Sequence, residues 1–210
     1  MSNLRQQLIN TACAMQAAGL NRGTAGNVSV RDNSGHFFIT PSGLPYDRLS
    51  SSDIPHMGLD GAYHGTRKPS SEWRFHRDLY ASRPEVSAVL HAHSPFAVSL
   101  ACLRRDIPPF HYMIARFGGD TIRCADYALF GSAALSTAAL TAMTERKACL
   151  LANHGMLVAG RNLDEALTLA IELEELCEQY WRACQLGQPV LLDADEMRAV
   201  MAQFAGYGQP

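Results

Sequence analysis

Apolar residues recur every three or four positions at Leu4, Leu8, Ala12 and Met15, with Ser2 as a cap candidate ahead and Gly19 behind, which predicts an amphipathic first helix. The period then changes. Residues 28–31 and 36–40 are short and rich in β-branched and aromatic side chains, and Asp32-Asn33-Ser34-Gly35 between them tolerates tight-turn angles, so the pair reads as a hairpin. Leu59-Asp60-Gly61 repeats the turn signal. From Ser70 the helical period returns, with Ser71 able to cap a helix carrying Trp73, His76, Leu79 and Tyr80 that Pro84 stops. Residues 86–91 and 148–153 are apolar runs of the kind that form buried strands. Ser94-Pro95 offers an N-cap followed by proline in the first turn, so the segment through Leu103 is expected to be helical. Asn162 with Glu165 resembles a capping box, and Leu163, Ala166, Leu167, Ala170, Leu173, Cys177, Tyr180 and Cys184 trace one helical face to Gly187. No repeat, low-complexity tract or long linker interrupts this order, so residues 1–210 are expected to form one domain mixing helices and strands.

Composition narrows the function classes. With 47% hydrophobic and 18% charged residues, the chain can bury a core, which excludes disordered and collagen-like classes. Its formal net charge of −2 offers no field to hold polyphosphate backbones or anionic lipid, so nucleic acid is not an expected partner. The two longest uncharged stretches, 86–103 and 127–144, reach the roughly 18 residues of a membrane-span candidate. The first carries His91, His93, Ser94 and Pro95 in its middle and the second is diluted by Gly131, Ser132, Ser136, Thr137 and Thr141, so no membrane span is expected. Residues 1–10 hold charge and amides where a signal peptide needs an apolar run, and a cytoplasmic location follows as the expectation. The six cysteines, at 13, 102, 124, 149, 177 and 184, contain no C-x-x-C pair and are expected as small, reduced core residues.

The candidate chemistry lies at strand ends. His91 and His93 sit two apart, and side chains alternate across a strand, so both imidazoles point to one side. His154 follows the second buried strand and precedes Gly155, where a strand meets a loop. Three imidazoles suit zinc or another borderline divalent ion, although a His-x-His pair is also what two polar tips at a sheet edge look like. Three loops of small residues, 23–27, 40–43 and 69–71, offer backbone N–H and hydroxyl donors without bulk, which is what an oxyanion such as phosphate requires; singly, each is also an ordinary turn.

Taken in order, Gly23-Thr24-Ala25-Gly26-Asn27-Val28-Ser29, Ile39-Thr40-Pro41-Ser42-Gly43, Pro69-Ser70-Ser71-Glu72-Trp73-Arg74-Phe75-His76, His91-Ala92-His93, His111-Tyr112-Met113-Ile114-Ala115 and Asn153-His154-Gly155 resemble the class II aldolase/adducin family, in its sugar-phosphate aldolase branch. The Ser-Ser-Glu-Trp-Arg-Phe-His and His-Tyr-Met-Ile-Ala blocks carry the specificity of that resemblance. It implies an α/β fold, a mixed central sheet between helices in three layers, and a metal-dependent aldehyde-lyase. It further implies a zinc site made by His91, His93 and His154, with Glu72 as a fourth ligand that swings away to act as a base, and a phosphate site made by Thr24, Gly26, Asn27, Ser42, Gly43, Ser70 and Ser71.

The reaction so implied is reversible cleavage of a ketose 1-phosphate to dihydroxyacetone phosphate and an aldehyde, in which a divalent cation, and not a lysine Schiff base, makes the carbanion tolerable. L-Fuculose 1-phosphate is the first substrate to consider, with 5-deoxyribulose 1-phosphate and methylthioribulose 1-phosphate as competitors and an epimerase or decarboxylase of the same scaffold as a further alternative. Tyr112 resembles a tyrosine that reaches a neighbouring subunit's site to exchange a proton with the aldehyde oxygen, which implies a homotetramer. Tyr207 resembles one that helps to close the site. Arg116-Phe117 and the residues near Phe130 are expected to border the aldehyde end. Members of the family that have lost catalysis serve as interaction domains, but there the ligands are not kept, and here all three histidines and Glu72 are present.

Overall fold

The protein is described by a computed structural model over residues 2–206; Tyr207 lies outside the described residues. Strands β1 (Asn27–Arg31), β2 (Phe37–Ile39), β3 (His56–Met57), β4 (Tyr63–His64), β5 (Ala88–Ala92), β6 (Arg123–Ala125), β7 (Ala148–Leu151) and β8 (Gly155–Gly160) share one sheet. Its order is β4-β3-β2-β1-β5-β8-β7-β6, antiparallel throughout except for the parallel β6–β7 pair. Helices α1 (Ser2–Ala17), α3 (Pro95–Ala101) and α5 (Leu163–Leu186) cover one face, α2 (Trp73–Ser82) and α4 (Ala133–Ala142) the other, and α6 (Ala194–Ala205) follows α5.

The apolar runs of β5, β7 and β8 are continuous because both faces are covered. Ala88, Leu90, Leu150 and Val158 pack with Leu8, Ala97, Ala166 and Leu173 on one side, while Val89, Leu151, Leu157 and Ala159 pack with Phe75, Leu79, Leu135 and Ala139 on the other. Each large apolar side chain so buried stabilises the fold by about 1.5–3 kcal/mol before chain entropy is charged against it. This is the expected three-layer arrangement, and β5 lies at its centre, so residues at the end of β5 are held by packing from both sides.

Several local expectations shift by a residue or two, each for a visible reason. α2 starts at Trp73 with Glu72, not Ser71, at the capping position, because Ser70 closes the preceding turn: its carbonyl accepts from Trp73 N (3.2 Å) and its hydroxyl from Glu72 N (3.3 Å). Ser94 occupies the N-cap position of α3, but its hydroxyl donates to Glu174 (2.6 Å), and the Glu174 carboxylate accepts from Phe96 N and Ala97 N at 2.8 and 2.9 Å. A carboxylate from α5 thus caps the positive end of α3 and fixes the chain just past His93. α3 stops at Ala101 in a turn that places Arg104 at φ +52°, and β7 stops at Leu151 because Asn153 turns at φ +55°. Asn162 caps α5 as expected, but Glu165 turns to Arg161 N and Lys147 in place of completing the box. All six cysteines are free thiols; Cys149 and Cys177 are buried, whereas Cys102 and Cys184 are exposed, since one lies in the turn after α3 and the other in the last turns of α5, beyond the buried stretch that ends at Cys177. No helix among the described residues is long and apolar enough to cross a membrane.

Candidate metal and anion site

His91 is the penultimate residue of β5 and fully buried, His93 follows the strand, and His154 stands in the turn between β7 and β8. The turn reaches β5 because residue 155 is glycine: a Cβ there would lie 2.3 Å from the Ala92 carbonyl. His93 N donates to Asn21 Oδ1 at 2.9 Å, which fixes the chain after the strand. The expected convergence is present. His91 Nε2 lies 2.9 Å from His93 Nε2, and Glu72 places Oε2 3.2 Å from His91 Nε2 and Oε1 3.2 Å from His154 Nε2. Each of the four residues offers a ligand atom, all within 4.8 Å of one another.

The electrostatics suit a cation. Burial, followed by the neighbouring imidazoles, pushes His93 and His154 down to about 4 although Glu72 pulls the other way, so both rings are neutral at neutral pH. Burial acts to raise the Glu72 carboxyl, but His91, His154 and the Asn27 amide together outweigh it and hold the group at about 2, ionised. His91 Nδ1 donates to the Met156 carbonyl (2.8 Å), which turns Nε2 toward the other ligand atoms. His91 Nε2 and His93 Nε2 meet at 2.9 Å, and the buried Glu72 Oε1 has no hydrogen-bond donor. One divalent cation satisfies all of them, and ligand atoms of a tetrahedral zinc site stand about 3.3 Å apart, close to these separations. The residues therefore fit such an ion. A second group, Asp32, His36 and His56, lies on the β1–β2 hairpin and β3, but there Asp32 is already engaged, with Oδ1 accepting from Ser34 and His36 N, and Oδ2 from His56 Nε2 at 2.7 Å.

In front of the histidines opens a cleft of about 370 Å³ that Thr24, Gly26, Asn27, Ser42, Gly43, Ser70 and Ser71 line together with Glu72, His93 and His154. The three donor loops converge through backbone bonds between distant segments. Ser42 N donates to Lys68 O and Ser70 N to Thr40 O, both at 3.0 Å, zipping the second and third loops together. Tyr46 ties down the first, its hydroxyl donating to Gly26 O at 2.8 Å. Gly26 sits at φ +75°, and a Cβ there would meet the His91 carbonyl at 2.6 Å, so the first donor loop rests directly on the backbone of the buried histidine. Asn27 lines the cleft, yet both ends of its amide are engaged: Nδ2 donates to Glu72 Oε2 (3.1 Å) and Oδ1 accepts from His76 Nε2 (2.5 Å).

Other expected residues lie elsewhere. Tyr112 is half-exposed in a 3-10 segment (Tyr112–Phe117), stacked on His111, and faces a separate hollow with Arg116 and Gln203 and not the cleft of its own chain. Phe117 is fully buried and cannot border an open site, which corrects that expectation, and Arg116 is paired with Glu172 at 2.7 Å. Phe130 does line the cleft, beside Tyr127 and Ala128. Sequence reasoning missed Tyr127, over which the Arg104 guanidinium stacks, and Asn21, whose bond to His93 N no spacing announces. His76 is buried on α2 as the helical period predicts, with polar contacts to Asn27 and Ser29 that the period does not announce.

The chain matches the sequence profile of the Class II Aldolase and Adducin N-terminal domain over residues 6–181. It is 55% identical over 205 residues to a 5-methylthioribulose-1-phosphate/5-deoxyribulose-1-phosphate aldolase of Rhodospirillum rubrum, covering 98% of this chain and 92% of that one. It is 43% identical over 208 residues to the L-fuculose phosphate aldolase of Escherichia coli, covering 99% and 96%. A solved L-fuculose 1-phosphate aldolase superposes with a TM-score of 0.94 at 39% identity, over 98% of this chain and 97% of that one.

Proposed function

The chain belongs to the class II aldolase and adducin N-terminal domain family, and from that premise we propose that it is a zinc-dependent aldehyde-lyase that cleaves 5-methylthioribulose 1-phosphate or 5-deoxyribulose 1-phosphate to dihydroxyacetone phosphate and a small aldehyde. The observation that carries the reading is the opening of three oxyanion-donor loops onto the same cleft as Glu72, His93 and His154, with His91 beneath. Likeness at 55% to a relative named for these two ketoses, against 43% to one named for L-fuculose phosphate, favours them over the substrate considered first from sequence. The apolar rim of Tyr127, Ala128 and Phe130 suits a methyl or methylthio tail.

His91, His93, His154 and Glu72 would hold the ion. A bound divalent cation supplies Lewis acidity, drawing charge from the oxygens of the dihydroxyacetone unit as the carbon–carbon bond breaks. Thr24, Gly26, Ser42, Gly43, Ser70 and Ser71 bind the phosphate through amide and hydroxyl donors, and Asn27 stands with them. Phosphate held there leaves the ketose carbonyl end toward the histidines and fixes the reacting bond relative to Glu72. Glu72 moves the proton at the carbon that carries the developing charge, since its carboxylate is ionised and lies at the edge of the cleft. Tyr112, turned away from the cleft of its own chain, serves the site of a neighbour in a homotetramer and exchanges a proton with the aldehyde oxygen; Tyr207 helps to close that site. One domain over residues 1–210 and a cytoplasmic location complete the reading, the latter supported by six unpaired thiols. The test is release of dihydroxyacetone phosphate from methylthioribulose, 5-deoxyribulose and L-fuculose 1-phosphates: the first two are expected to give the higher kcat/KM, and release from none of the three overturns the proposal.

A further inference from the structure

Behind Glu72 runs a row of buried polar side chains that the cleavage chemistry does not call upon. Glu72, His76 and Tyr80 are four residues apart along α2 and its cap, so they form one stripe spaced by about 6 Å. Asn27 and Ser29 are two apart on β1 and point to one face with a spacing of about 6.6 Å. The two spacings nearly match, and the side chains interleave as the teeth of a zip. Asn27 Nδ2 donates to Glu72 Oε2 at 3.1 Å, Asn27 Oδ1 meets His76 Nε2 at 2.5 Å, His76 Nδ1 meets Ser29 Oγ at 2.7 Å, and Ser29 Oγ meets Tyr80 OH at 2.7 Å. Ser29 and His76 have no solvent exposure, Tyr80 has 1% and Asn27 2%.

The polarity of every link follows from the first. An ionised carboxylate only accepts, so the Asn27 amide must present its N–H₂ to Glu72 and its oxygen to His76. That oxygen also only accepts, so His76 must carry its proton on Nε2. A neutral ring then has its lone pair on Nδ1, so the Ser29 hydroxyl must donate to it and take its own bond from Tyr80 O–H. Read in the other direction, the hydroxyls choose the His76 tautomer and the tautomer chooses which end of the amide faces Glu72. With the opposite tautomer, the amide would turn its oxygen to the carboxylate and repel it.

We propose that Tyr80, Ser29, His76 and Asn27 form a positioning relay that holds the Glu72 carboxylate between His91 and His154, with His76 as its pivot. The relay rests on the aldolase reading for its effect on turnover, though not for its effect on the resting protein. In this account the Asn27 side chain belongs to Glu72 more than to the phosphate, which the hydroxyl and glycine loops hold without it. His76 touches no reacting atom and acts through Asn27.

The decisive experiment uses the full chain labelled with ¹⁵N-histidine, in metal-free and zinc-loaded forms, with His76→Leu, His76→Gln and Asn27→Leu proteins beside the wild type. In the wild-type metal-free protein the ring resonance absent from His76→Gln is expected as a neutral Nε2–H tautomer with a pyridine-like Nδ1; an Nδ1–H tautomer or a protonated ring at neutral pH overturns the relay. In kinetics, His76→Leu is expected to lower kcat about 10- to 100-fold while KM and inhibition by inorganic phosphate stay within about twofold, and His76→Gln, whose amide can offer one donor and one acceptor, to recover most of the loss. The double variant Asn27→Leu/His76→Leu should be no worse than Asn27→Leu alone, because both act through one bond. Additive losses, or a loss expressed in KM with phosphate inhibition weakened in step, would place these residues outside the relay. If wild-type protein cleaves no ketose phosphate, the aldolase reading fails, and the tautomer together with zinc affinity, expected to fall in His76→Leu and recover in His76→Gln, still decides the relay.

Discussion

Gly26→Ala and Gly23→Ala form a pair of perturbations whose difference isolates one contact. Both glycines lie in the first donor loop at positive φ, +62° for Gly23 and +75° for Gly26. Left-handed backbone costs an alanine about 1–2 kcal/mol, and the stiffer unfolded chain returns about 0.4–1 kcal/mol, so strain alone destabilises either variant by about 1 kcal/mol. A Cβ at Gly23 meets nothing within 4 Å, whereas at Gly26 it falls 2.3 Å from Asn21 Nδ2 and 2.6 Å from the His91 carbonyl. The carbonyl belongs to the central strand and cannot retreat freely, so overpacking adds about 1–3 kcal/mol and brings Gly26→Ala to about 2–4 kcal/mol. Displacing Asn21 also disturbs its bond to His93 N, so metal affinity should fall about 10- to 100-fold in Gly26→Ala and stay unchanged in Gly23→Ala. Urea unfolding of the metal-free proteins gives the stabilities and a zinc titration gives the affinities. Equal stabilities for the two variants, or full zinc affinity in Gly26→Ala, would refute the claim that the first donor loop rests on the strand that carries His91.

Three further outcomes follow from the same geometry. Glu72→Gln should keep its bound ion and lose about 10²- to 10⁴-fold in kcat, as read by dihydroxyacetone phosphate release with metal analysis in parallel; full turnover would remove Glu72 from proton transfer. Ser71→Ala deletes one hydroxyl donor to a charged ligand, worth about 1.5–3 kcal/mol, so KM for the phosphorylated ketose should rise roughly 10- to 100-fold without loss of stability, and an unchanged KM would put the phosphate elsewhere. His76 is buried as the neutral ring and held at about 3, below its ordinary 6.5. The unfolded chain therefore binds the extra proton between those values, so the stability it contributes is complete above pH 6.5 and is lost on acidification toward pH 3, by about 1.4 kcal/mol per pH unit. Urea midpoints of the metal-free protein from pH 7 to 4.5 should fall more steeply than this, because His93 and His154, held at about 4, add to the slope, and His76→Leu should be shallower than the wild type by about 1.4 kcal/mol per pH unit; an equal slope in both would contradict it.

The layers and the histidine cluster were legible because each rests on a local signal. Uninterrupted apolar runs announced strands buried on both faces, and a His-x-His at the end of one of them aimed two imidazoles to the same side. The three donor loops could be named individually, but nothing local showed that Ser42 N would bond to Lys68 O and draw two of them together. Sequence spacing also could not show that Glu174, far along α5, caps the helix after His93, or that Asn21 steadies that residue from the loop before β1. His76 lies on the buried face that its helical period predicts, but a period records which face is buried and not which partners a buried polar ring finds there. Cys102 and Cys184 were misplaced for a related reason, as composition says that cysteines are usually inside and not where a helix leaves the body.

The proposed cleavage depends on one ion gathered by His91, His93, His154 and Glu72, and cobalt substitution tests it directly. Metal-stripped protein titrated with Co²⁺ should take up one ion per chain with the visible absorption of a low-symmetry site, and regain ketose cleavage in proportion, while His93→Ala and His154→Ala bind far more weakly and stay inactive. Full cleavage by the stripped protein, or undiminished Co²⁺ affinity in both variants, would contradict it.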